Sequence, residues 1–118
     1  MERDLVAMKL SSCKLVTIIA EAALEEDLVE ALGRIGVRGY TLSEARGRGA
    51  HGVRDSSFTL TANLRIEIVC DADVAQDIAS EMSTRFYDHY AMILFVSDVD
   101  VLRPDKFSGR QRSPRWPR

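Results

Sequence analysis

The segment RGRGAHGVR, residues 46–54, holds the densest chemistry in the chain: three glycines, three arginines and one histidine in nine positions. Glycines let backbone N–H groups approach a ligand closely and permit the curved conformations that cradle anions. Arg46, Arg48 and Arg54 add charge-assisted donors suited to phosphate or carboxylate. The pattern differs from a Walker loop, because no GxxxxGK[ST] is present. It also differs from the dinucleotide fingerprint, whose glycines open a helix. By composition alone a soluble, unliganded loop accounts for it equally well. His51 has no serine or cysteine nucleophile set beside it and reads first as a loop histidine.

The elements that must position this loop follow from periodicity. Residues 14–20, KLVTIIA, are β-branched and read as a buried strand. In EAALEEDLVEALGRIG, Leu24, Leu28, Leu32 and Ile35 recur at helical spacing, and Gly36 stands where a helix end favours a left-handed residue. Glu21, Glu25, Glu26 and Glu30 form the solvated face of that helix. Residues 40–44 give a second strand. Leu64, Ile66, Ile68 and Cys70 alternate with Arg65, Glu67 and Val69 as a third. DADVAQDIASEMSTRFYDHY, residues 71–90, reads as a second helix with Val74, Ile78, Met82 and Phe86 as its stripe and Asp71 or Asp73 as cap. Residues 92–96 and 99–102 form a fourth strand with a bend near Ser97 and Asp98.

The order β-α-β, loop, β-α-β is that of an α+β, ferredoxin-like fold: a four-stranded antiparallel sheet with both helices on one face. The other face needs a cover. We assign Val16, Ile18 and Val69 to it and expect oligomerisation through it. Glu67 points away from the Leu64, Ile66 and Ile68 face, so its carboxylate meets a partner subunit or a ligand hydroxyl.

Composition bounds the rest. A chain of 118 residues suits one domain. We divide it into a flexible leader (1–13), the folded domain (14–105) and a basic flexible tail (106–118). No apolar run reaches the roughly 20 residues of a membrane span, and the N-terminus lacks a long apolar stretch; both point to a cytoplasmic protein. Cys13 and Cys70 form no CxxC pattern, and the two histidines support no metal site. The tail carries five cations and no acid, which leaves the remainder at −7 against a whole-chain charge of −2. An acidic body without an RNP-like aromatic pair argues against nucleic acid as partner.

GVRGYTLSEARGRG (36–49), LRIEIV (64–69) and RFYDHYAMILFVSDVDVL (85–102) together resemble the PII signalling family. They are most similar to its PII-like, bicarbonate-transporter- and carboxysome-associated (SbtB-like) branch. The resemblance implies a homotrimer that binds adenine nucleotide in the clefts between subunits. It implies a T-loop at about 46–63 that docks on a target. Carried over residue by residue, the nucleotide-binding set is Thr41, Gly47, Arg48, Gly49, His51, Arg54, Glu67, Tyr90 and Arg103. Nitrogen-regulatory relatives carry a glycine-rich loop where this chain reads YDHYAM (87–92), so AMP, ADP or cyclic AMP are better candidates than ATP. His51 stands where some relatives carry a second arginine. The T-loop has no tyrosine for uridylylation, and a cysteine-bearing C-terminal redox loop is absent. The implied protein is regulatory rather than an enzyme. It has no cofactor beyond adenine nucleotide as regulatory ligand, with bicarbonate as a second ligand. Its implied target is a bicarbonate transporter or carboxysome-associated protein. Slow ATP or ADP hydrolysis, and a nucleotide-free or RNA-interacting trimer, are the alternatives.

Overall fold

The computed structural model describes residues 9–47, 62–102 and 104–111. Its elements run β1 (Ser11–Glu21), a 3-10 turn (Ala22–Leu24), α1 (Glu25–Ile35), β2 (Thr41–Ala45), β3 (Asn63–Cys70), α2 (Ala72–Arg85), β4 (Met92–Val101) and a 3-10 turn (Pro104–Lys106). The sheet order is β2-β3-β1-β4, with every pairing antiparallel. This is the ferredoxin-like arrangement: β3 inserts between β1 and β2, the two strands that α1 connects.

The alternation of β1 and β3 decides where the core sits. Val16 pairs with Ile68 and Ile18 with Ile66. All four are fully buried, together with Leu28 and Leu32 of α1 and Val74, Ile78 and Met82 of α2. Each large apolar side chain so buried contributes about 1.5–3 kcal/mol. Across the two helices, Arg34 donates to Glu81 at 3.2 Å, and Arg85 donates to the same carboxylate at 2.7 Å.

Several sequence expectations need correction. Val16 and Ile18 lie on the helix-covered face, not the open one; a β-branched run shows no alternation from which to read the face. Val69 does lie on the open face, in register with Leu15. Residues 11–13 belong to β1, and Cys13 is buried, so the strand begins inside the expected leader. The fourth strand is continuous through Ser97 and Asp98, because β1 pairs with it along its whole length. Lys14 also bonds Asp98 across that pairing. Helix α2 ends at Arg85, and residues 86–90 are turns. The first residues of the expected flexible tail, 106–111, lie against the ends of both helices.

The open face of the sheet carries Leu15, Thr17 and Ile19 of β1 beside Arg65, Glu67 and Val69 of β3. Ile93 and Phe95 of β4 complete it by their register with Ile19 and Thr17. Ile93 and Phe95 are exposed. Thr17, at the centre, is fully buried among longer neighbours, and its hydroxyl has no hydrogen-bond partner among the described residues.

Candidate ligand groove

Thr41 opens β2 and pairs directly with Glu67 in the C-terminal half of β3. Directly paired residues of an antiparallel ladder share a face, so both side chains stand on the open side of the sheet. Around them lies a groove of about 270 Å³ lined by Arg38, Gly39, Tyr40, Thr41, Glu67, Val69, Lys106 and Phe107. Its walls, Tyr40, Val69 and Phe107, suit a flat apolar surface such as a base. The Thr41 hydroxyl and Glu67 carboxylate supply directional polar contacts, and Arg38 and Lys106 supply charge for an anion. Arg65 donates to Glu67 Oε2 from both Nε (3.4 Å) and Nη2 (3.2 Å), which fixes the carboxylate's orientation.

Two of the nine sequence-derived site residues therefore meet in the groove, Thr41 and Glu67. Gly47 lies two residues past β2, and a Cβ there would touch nothing within 4 Å in this chain. Tyr90 belongs to the turn before β4, on the opposite edge of the sheet from β2. Three strand spacings separate those edges, on the order of 14 Å, so one chain does not bring Tyr90 to Thr41 and Glu67. Its ring instead packs near Phe86, with centroids 6.2 Å apart. Arg48, Gly49, His51, Arg54 and Arg103 lie outside the described residues, as does most of the T-loop. In the turn that replaces a glycine-rich loop, the Leu94 N–H donates to the Tyr87 hydroxyl at 3.0 Å, tying the turn to β4.

The six other groove residues, Arg38, Gly39, Tyr40, Val69, Lys106 and Phe107, are not in the sequence-derived set. Arg38 lies in the α1–β2 connection and donates to the Ser108 carbonyl at 3.2 Å. Lys106 and Phe107 were assigned to the tail by composition, and nothing local signals that the chain turns back beneath the sheet. Among the described residues no group of three or more His, Cys, Asp or Glu side chains could hold a metal ion. Both cysteines are free and buried, and burial pushes the Cys70 thiol up to about 11, helped by the nearby Asp71 carboxylate.

The profile of the family described as "Nitrogen regulatory protein P-II" matches residues 13–106. The chain belongs to the P-II family. A PII-like signaling protein from Thermus thermophilus is 39% identical; the match covers 85% of this chain and 99% of that one, with a TM-score of 0.71. CPII from Thiomonas intermedia, bound to ADP and bicarbonate, is 30% identical over 86% of this chain and 99% of its own, at a TM-score of 0.74. The same protein bound to ADP, AMP and acetate matches at 29% identity and a TM-score of 0.76, covering 86% and 100%. This chain is thus a PII-like signalling protein with the family's ferredoxin-like fold. Among its described residues no helix is long and apolar enough to cross a membrane.

Proposed function

We propose that this PII-like protein binds an adenine nucleotide in clefts between the subunits of a homotrimer, AMP, ADP or cyclic AMP in preference to ATP. Bicarbonate is its second ligand. The observation that carries this reading is the Thr41–Glu67 pair set in a groove with cations and apolar walls. On this reading one chain supplies part of the site, and a second subunit completes it. The open sheet face beside the groove, with Ile93 and Phe95 exposed, is the surface on which that subunit packs. The structures of CPII bound to ADP, AMP and acetate and to ADP and bicarbonate support the choice of ligands.

The proposed role is sensing rather than turnover. The reading is a population shift: nucleotide and bicarbonate favour one arrangement of the loop between β2 and β3, and only their differential affinity for that arrangement acts on a target. That target is a protein of inorganic-carbon uptake or of the carboxysome, met in the cytoplasm. The test is calorimetric titration of AMP, ADP, ATP and cyclic AMP, with and without bicarbonate, into the wild type, Glu67→Gln and Arg54→Ala. Micromolar binding of ADP or AMP, weakened about tenfold in either variant, is the expected result. Binding of none of the four nucleotides overturns the reading.

A further inference from the structure

The segment that brings Lys106 and Phe107 to the groove is anchored at the ends of the two helices. The Gly109 N–H donates to Asp71 Oδ2 at 2.8 Å, just before α2. Arg110 spans both helices: Nη1 donates to the Ile35 carbonyl at 2.8 Å, and Nη2 to Asp77 Oδ2 at 2.6 Å. The Gln111 N–H donates to the Gly36 carbonyl at 2.6 Å. The carbonyls of Ile35 and Gly36 stand at the C-terminal end of α1, where backbone acceptors lack helical partners and the helix dipole is negative. Asp71, just before α2, and Asp73 and Asp77 on it provide the acidic counterpart.

Gly36 completes the seat. Its φ of 95° is left-handed, and a Cβ there would lie 3.1 Å from the Gln111 carbonyl oxygen and 3.3 Å from Arg110 Cβ. Gly109 is also left-handed, at φ 72°. The guanidinium fork can reach two acceptors on two helices at once, which the single ammonium of a lysine cannot do with the same geometry. Between the groove residue Phe107 and this anchor, which starts at Gly109, lies only Ser108, and Arg38 of the groove holds its carbonyl. Among the described residues no carboxylate lies within ion-pair distance of Lys106.

On the reading of the groove as a nucleotide site, we propose that residues 106–111 form a strap whose Lys106 contacts the anionic part of the ligand. Arg110 is its positioning residue, and ligand binding and strap docking are coupled through it. Coupling is reciprocal: a seated strap raises affinity, and a bound anion drawing on Lys106 holds the strap down.

The experiment is ADP titration of the full chain with hydrogen exchange at the Gly109 and Gln111 amides, in wild type, Lys106→Ala, Arg110→Ala, Arg110→Lys and Asp77→Asn. Lys106→Ala and Arg110→Ala are each expected to weaken ADP about tenfold, the loss of one charge-assisted contact. Arg110→Lys should fall between wild type and Arg110→Ala. Asp77→Asn leaves every groove residue in place, and its weakening of ADP would show that the anchor acts at a distance. ADP should slow exchange at Gly109 and Gln111 in wild type and not in Lys106→Ala, a response that a merely structural anchor would not give. Circular dichroism melts identify any variant that fails to fold. Wild type that binds ADP while Arg110→Ala and Asp77→Asn bind it equally well overturns the strap alone. Wild type that binds no ADP overturns the strap together with the nucleotide reading.

Discussion

Phe95→Ala should dissociate the proposed trimer, and its size can be worked from the open face. Phe95 is 43% exposed in the isolated chain. A phenylalanine buries about 150–250 Å², so the area left for a partner subunit is roughly 85 Å². At about 25 cal/mol per Å² this is about 2 kcal/mol for each subunit. Three copies would weaken the assembly by about 6 kcal/mol, on the order of 10⁴ in the three-body dissociation constant. The fold of each subunit should survive, since Phe95 stands on the open face of the sheet, opposite the helix-covered core. Sedimentation velocity across a dilution series is the assay, with far-UV circular dichroism to show that the variant is folded. The midpoint of dissociation should move to much higher concentration in the variant. An unchanged midpoint would mean that the face is not the interface. A wild type that is monomeric throughout would refute the reasoning from exposed apolar area.

Thr17→Val replaces a fully buried hydroxyl that lacks a partner among the described residues; removing that desolvation cost should raise stability by about 1 kcal/mol in urea unfolding, and a loss of stability would show that the hydroxyl is bonded in the assembly. Gly36→Ala should destabilise by about 1–2 kcal/mol in the same assay, from strain at a left-handed position and from crowding of Gln111 and Arg110. Hydrogen bonding to Arg85, with a further bond to Arg34, holds the Glu81 carboxyl below its ordinary value. Its stabilising effect is therefore present above about pH 4.5 and lost as pH falls through the lowered pKa. Solvent screening limits it to a few tenths of a kcal/mol, so Glu81→Gln should flatten the acid limb of the stability profile slightly. Cys70, raised from 9.0 to about 11, should resist iodoacetamide at pH 8 until the chain unfolds; its protonated form favours the fold below about pH 9, an effect lost between there and about pH 11.

What the sequence determined by itself was the set of elements and the face on which Glu67 stands. Leu24, Leu28, Leu32 and Gly36 mark α1 because helical spacing and a left-handed terminus are local properties. The alternation of Leu64, Ile66 and Ile68 with Arg65 and Glu67 placed Glu67 on the open face, since a strand's period of two needs no distant information. Where alternation was missing, the reading failed: residues 14–20 are apolar at nearly every position, and only pairing with β3 shows that Val16 and Ile18 face the helices. The Thr41–Glu67 pair is a matter of register, which the ladder sets across more than twenty intervening residues. The return of the chain past Lys106 to the helix ends was decided by tertiary structure alone. Composition marks residues 106–118 as basic and polar, yet orphan carbonyls at the end of α1 and carboxylates around the start of α2 give the first six of them a seat. Such partners exist only once both helices are packed on the sheet.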